Sequence, residues 1–229
     1  MRKIGFIGSF DKTDLIMYTA KILDNLGYKV LMVDSTILQK TRFIVPSINP
    51  TRTYITSFEN IDFAIGFKTI EELEESLGYK IENQNGEYDY ILFDIDGIQT
   101  FNSFDILNSY KNYFVTSFDL YSLNKGIKIF QGLENKAKLT KILFSYENTT
   151  KDEEEYLDTI SLEYDVEWSE YVLYFPITAE DNKVFQENQR LEKIRCKRLS
   201  NDYRESLACL FEDFDKEDNT IKVRKIIRE

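Results

Sequence analysis

Histidine is absent from the 229 residues. With it go imidazole general bases, Ser-His-Asp triads and His-ligated zinc. Cysteine is scarce. Cys196 and Cys209 stand outside any CxxC pair, so a thiolate zinc site or a thioredoxin-type motif is not expected, and two reduced thiols are. Three prolines and nine glycines leave no linker-like or low-complexity segment. No apolar run approaches the roughly 18 residues of a membrane span. The opening Met1-Arg2-Lys3-Ile4-Gly5-Phe6 reads into a strand rather than a signal peptide, which predicts a cytoplasmic protein. Positive charge is in deficit, 29 basic against 40 acidic residues, for a net charge of -11. Such a chain is repelled by nucleic acid and anionic membranes except at a local basic patch.

What is present is an alternation of short apolar runs and helical patterns. Ile4 to Ile7 is an apolar run ending in Gly8-Ser9. Leu15, Ile16, Ala20, Leu23 and Leu26 follow at helical spacing up to Gly27, a natural stop. Val30 to Val33 ends at Asp34, and Tyr90 to Phe93 ends at Asp94. Further strands are expected at Phe63–Phe67, Tyr113–Thr116, Lys141–Phe144 and Val172–Phe175. Pro176 would interrupt a ladder beyond the last of these. Helices are expected at Thr69–Leu77, 119–133, Asp152–Ser161, 180–189 and 200–214, an irregular stretch at 36–60 and a polar loop at Glu82–Tyr88. Continuous apolar strands joined through helices predict a single doubly wound α/β domain with a mainly parallel sheet of about seven strands. That domain should span residues 1–214, followed by a basic C-terminal tail at 215–229.

Ligands of open parallel sheets bind at the carboxyl ends of the strands. The first strand ends in Gly8-Ser9-Phe10-Asp11-Lys12-Thr13-Asp14, the second in Asp34-Ser35-Thr36, the third in Asp94-Ile95-Asp96-Gly97. A strand, a loop and a Lys-Thr pair at a helix start suggest a phosphate loop. Lys12 would face the phosphates, the Thr13 hydroxyl would hold Mg²⁺, and Asp94 would hold the same ion.

These segments resemble, in order, the ParA/MinD branch of the P-loop NTPases. Gly8 to Thr13 lies where that family carries its deviant Walker A motif, KGGxGK[ST]. Val30 to Asp34 is similar to its second strand, and Tyr88-Asp89-Tyr90-Ile91-Leu92-Phe93-Asp94 to its Walker B strand. Val115 to Leu123, and Val172 to Pro176 followed by Asn182 to Arg190, resemble its later elements. The resemblance implies ATP and Mg²⁺ as ligands, with Gly8, Lys12, Thr13, Asp34 and Asp94 as binding positions and Thr13 and Asp94 at the metal. It also implies a protein partner and a homodimer. The family's signature lysine, however, is matched by Ile7, its second glycine by Ser9, and the glycine before the P-loop lysine by Asp11. The second strand's downstream Asp is matched by Thr36. Glycine is used where the backbone must come close to phosphate. A carboxylate about 4 Å from a phosphate charge, at an effective dielectric of about 20, is repelled by about 4 kcal/mol. Asp11 is also a good helix N-cap, which needs no phosphate.

The sequence therefore reads as a relative with a degenerate nucleotide site. It would be an adaptor or scaffold positioning or regulating a larger bacterial assembly in division, partition, conjugation or secretion. The alternatives are an active Mg-ATP switch ATPase and a nucleotide-independent binding module.

Three surface segments complete the reading. Glu147 to Glu170 is acidic, either a solvated helix face or a docking surface for a basic partner, with Trp168 as anchor or core. Arg190 to Arg204 is locally basic but interleaved with Glu192 and Asp202, and nucleic acid is not expected as a partner. Residues 221–228 set Val223, Ile226 and Ile227 opposite Lys222, Arg224, Lys225 and Arg228 on a helical wheel. Relatives of the MinD type end in a basic amphipathic membrane-targeting helix, so the tail implies a peripheral place at the inner membrane face. Its short Ile-Lys-Val-Arg alternation would equally suit a strand.

Overall fold

The computed structural model describes residues 1–48, 50–81, 87–145, 151–215 and 219–229, without the side chains of Lys151 and Asp152. The expected polar loop falls largely outside the described residues, at 82–86, as does the start of the acidic segment at 147–150. Eight strands form one sheet: β1 (Arg2–Ile7), β2 (Val30–Asp34), β3 (Tyr54–Phe58), β4 (Ile61–Ile65), β5 (Tyr90–Ile95), β6 (Lys111–Ser117), β7 (Ala137–Ser145) and β8 (Val166–Pro176). Their order is β3-β4-β2-β5-β1-β6-β7-β8. Every pairing is parallel except β3 with β4.

Nine α-helices are described: α1 (Thr13–Asn25), α2 (Thr41–Ile44), α3 (Ile70–Leu77), α4 (Ile98–Ser103), α5 (Leu120–Phe130), α6 (Lys151–Ser161), α7 (Ala179–Arg190), α8 (Asn201–Phe214) and α9 (Thr220–Arg228). A strand's side chains alternate between faces, and the sheet has a core on each. Ile4, Phe6, Met32 and Leu92 join Leu15, Ile16, Phe185, Leu207, Phe211, Val223 and Ile227 of α1, α7, α8 and α9. Ile7, Val33, Ile91 and Phe93 join Leu73, Phe101, Leu123, Ile127 and Leu157 of α3 to α6. The doubly wound α/β reading is thus what the structure has.

The differences from expectation are local. The stretch at 36–60 contains β3, which turns tightly into β4 through Glu59 and Asn60, both at positive φ (52° and 65°). Two successive left-handed residues suit a two-residue hairpin, whose twist matches that of the flanking strands. The sheet therefore has an eighth strand, on an antiparallel edge. β8 begins six residues before Val172 and takes in Trp168. It is an edge strand, where its terminal Pro176 is tolerated. Trp168 packs its ring against Phe114 and Phe130, with centroids 5.8 and 5.9 Å away, and donates from Nε1 to Ser161 Oγ at 2.9 Å. That is a core role. Cys196 and Cys209 are free thiols, and burial pushes Cys196 up to about 12. The C-terminal segment is a helix, and it is seated on the domain rather than projecting from it. Val223 and Ile227 are buried, while Arg224 pairs with Glu205 and Glu212 of α8.

Candidate functional site

The loops after β1, β2 and β5 meet because those strands are neighbours with matched ends. Asp34 is level with Asp94, and Phe6 with Asp94. The Gly8 amide donates to the Ile95 carbonyl at 3.0 Å, and the Ser35 amide to the Asp94 carbonyl at 3.2 Å. Gly8 has φ +138, and a Cβ there would lie 2.1 Å from the Val115 carbonyl oxygen of β6. Its glycine is required by the neighbouring strand, whatever the loop binds.

A cavity of about 290 Å³ opens among these loops, lined by residues 8–13, Thr36, Leu38, Lys40, Phe43, Asp94 and Asp96. Lys12 does not extend into it freely. Its Nζ lies 2.7 Å from Asp94 Oδ1, both side chains being 2% exposed, and donates to the Gly8 carbonyl at 2.8 Å. Burial pushes the Asp94 carboxyl up to about 7, Lys12 opposing the rise and Asp34 adding to it. Asp11 receives the Thr13 amide at 3.2 Å one residue before the helix N-cap, Lys12. So Asp11 does serve the helix start, from just outside it.

Lys40, on the loop after β2, places Nζ 2.8 Å from both Asp11 Oδ2 and Asp14 Oδ2. Burial would raise Asp11, but Lys40 and the Thr13 amide outweigh it and hold the carboxyl below its usual range. Burial would lower Lys40, and Asp14 and Asp11 carry it above its usual range. Asp14 also receives Gln189 Nε2 at 3.0 Å.

Asp34 is fully buried and fully used. Oδ1 accepts from the Thr36 amide and hydroxyl at 3.1 and 2.6 Å, and Oδ2 from the Thr41 amide at 3.1 Å. It organises the turn leading into α2. Asp96 ties the loop after β5 to the same turn by accepting from the Ile37 amide at 3.0 Å.

The five sequence-derived positions, Gly8, Lys12, Thr13, Asp34 and Asp94, therefore gather at one end of the sheet. Four of them line the cavity, and Asp34 stands behind it, bonded to Thr36 of its wall. The sequence reading missed Lys40, Leu38 and Phe43. They lie in the irregular stretch, and nothing in their local pattern marks them; only the fold brings them to the loop.

The fit to a polyphosphate with Mg²⁺ divides between backbone and side chains. The amides of residues 9–12 donate to no acceptor among the described residues, and Ser9 Oγ is buried without a partner. That backbone suits an anion. The side chains do not: both lysines of the wall are held by carboxylates, and Asp11 adds negative charge within the loop. Among the described residues no group of three or more acidic or cysteine side chains gathers to hold a metal.

No protein-family profile matches the chain, and no curated protein does. Solved structures do. A plasmid partition protein of Borrelia burgdorferi, bound to AMPPNP, is 18% identical with a TM-score of 0.59, covering 95% of this chain and all of that one. The ATP complex of Cyanothece McdA is 14% identical with a TM-score of 0.57, over 93% of this chain and 95% of that one. MinD in the MinC:MinD cell division complex of Aquifex aeolicus is 17% identical with a TM-score of 0.53, over 98% and 95%. The chain has the P-loop NTPase-like fold of the ParA and MinD ATPases.

Proposed function

We propose that this protein is a ParA/MinD-like adaptor with a degenerate nucleotide site, which positions or regulates a larger assembly through protein contacts. The observation that carries this reading is the pairing of each lysine in the pocket wall: Lys12 with Asp94, Lys40 with Asp11 and Asp14. An incoming phosphate would have to break a buried ion pair and then meet the carboxylates it released, and each of those costs is large in a water-poor site. The rim supports a protein partner or a second copy of the chain, since Leu38 and Phe43 are 81% and 82% exposed beside the pocket. Calorimetric titration with Mg-ATP and Mg-ADP tests the reading. The expected result is no heat at millimolar nucleotide. Saturable heat that disappears in Lys12→Ala overturns it.

A second reading, a Mg-ATP-dependent switch, draws support from the unpaired amides of residues 9–12 and from nucleotide complexes of proteins with this fold. It requires Lys12 to leave Asp94. Heat that survives Lys12→Ala would place any nucleotide elsewhere on the molecule. Peripheral membrane attachment through α9 would require the helix to release Val223 and Ile227 from the core. No helix among the described residues is long and apolar enough to cross a membrane.

A further inference from the structure

Three arginines converge between α8 and α9. Arg204, Arg224 and Arg228 line a cavity of about 250 Å³ that shares no residue with the phosphate-loop pocket. Ala208 and Ile227, both buried, also line it, and Asn201, the first residue of α8, lies at its wall.

The three guanidinium groups are in different states. Arg224 is committed: it donates to Glu205 and, at 3.2 Å, to Glu212 Oε1, and these hydrogen bonds raise its pKa. Arg228 is 68% exposed at its side chain and reaches Glu205 Oε1 only at 3.9 Å, so it is free to swing. Arg204 donates from Nη2 to Asn201 Oδ1, while its Nε is buried with no acceptor. No carboxylate pairs with Arg204 among the described residues.

The Arg204 Nε is closed to water and therefore to any ligand in the cavity. What Arg204 offers there is its Nη end, which is bonded to Asn201 of the same wall. The paired Nη groups of a guanidinium match two oxygens of a tetrahedral anion. Local charge agrees. Three arginines face Glu205 and Glu212, a local excess of one positive charge in a chain of net -11. The start of α8 adds the positive end of its dipole.

We propose that this cavity binds a phosphate group, held by Arg204 and closed over by Arg228. Free phosphate monoesters and the exposed phosphate of an anionic lipid headgroup share that chemistry. A long polyanion such as duplex DNA is disfavoured by the acidic remainder of the surface.

The test follows the Arg204 Nε–H signal by NMR in the full chain titrated with inorganic phosphate. A saturable shift at millimolar phosphate is expected. Arg204→Gln should weaken phosphate binding, followed by calorimetry, at least tenfold, and Arg228→Gln severalfold, because a charged hydrogen bond is lost in each. Arg228 is exposed, so that second variant keeps its fold and keeps the test decisive if Arg204→Gln unfolds. Flotation with phosphatidic acid vesicles, against phosphatidylcholine vesicles, separates the sources. Arg204-dependent flotation assigns a lipid headgroup, and phosphate binding without flotation assigns a soluble ligand. No saturable shift at tens of millimolar phosphate overturns the proposal. So does equal binding by Arg204→Gln and Arg228→Gln, or Arg204-dependent binding of duplex DNA alone.

Discussion

The phosphate-loop pocket and the α8–α9 cavity both set basic side chains in a concave wall, and they differ in what those side chains already hold. In the first, Lys12 and Lys40 are paired with Asp94, Asp11 and Asp14. In the second, Arg204 has no carboxylate partner among the described residues, and Arg228 comes only within 3.9 Å of Glu205. Position in the fold thus says where a ligand could sit, and the pairing of charges says whether an anion is wanted there. At the strand ends of this protein the sheet topology makes a cavity whose lysines already pair with carboxylates.

Substitutions can break this contrast, beginning with the loop itself. Gly8→Ala puts a methyl 2.1 Å from a backbone oxygen at a φ that only glycine adopts easily. The expected loss is about 3–5 kcal/mol by urea unfolding. A near-neutral result would mean that the loop is not fixed by β6.

Lys12→Met strips the buried pair of its cation. At pH 8 the expected loss is about 3 kcal/mol. At pH 6 it should shrink, because Asp94, pushed up to about 7 by burial, then takes a proton. Equal losses at both pH values would show that Asp94 does not titrate there.

Asp94→Asn isolates the same group. The folded state holds the Asp94 proton to about pH 7, the unfolded chain only to about 4. Between those values the folded state binds more protons, so this group's contribution to stability falls as pH rises, and it is flat above about 7. Wild type minus Asp94→Asn should therefore decline by of order 3 kcal/mol from pH 4 to 7. A rising difference would reverse the assignment.

Lys40→Met should cost about 1 kcal/mol, since both of its pairs are partly exposed. Thermal unfolding of this variant with and without Mg-ATP also tests the proposal that the site is degenerate. If freeing Asp11 and Asp14 of their cation leaves nucleotide without effect, the contrast between the two cavities is sharpened.

Arg228→Gln is the smallest. Stability should change by less than about 0.5 kcal/mol, as for most exposed positions, while phosphate binding at the second cavity falls.

Much of this architecture was legible in the sequence, because buried parallel strands are written as unbroken apolar runs. Val30 to Val33 and Tyr90 to Phe93 announce β2 and β5, and their terminal aspartates mark the right end of the sheet. β3 escaped because Glu59-Asn60 lacks the glycine that advertises a two-residue hairpin. β8 was read short because Glu167, Ser169 and Glu170 dilute an edge strand with solvent-facing residues. The doubt about Asp11 was legible too, but its resolution was not. Lys40 is 29 residues from Asp11, and no local pattern links them. The arginines of α8 and α9 were visible as basic segments, whereas their convergence depends on how the last helix seats.

β1 is the first strand of the sheet to be synthesised, and it waits longer for a neighbour than any other strand. Its neighbours are β5, ending at residue 95, and β6, ending at residue 117. At translation rates of about 5–20 residues per second, roughly ten seconds pass before both exist. Until β5 is made, Ile4, Phe6 and Ile7, each wholly buried in the finished protein, have no neighbouring strand to join. The nascent chain therefore carries an open, hydrophobic hub that holding chaperones would recognise. Slowing synthesis between residues 34 and 90 should raise aggregation more than slowing it after residue 117.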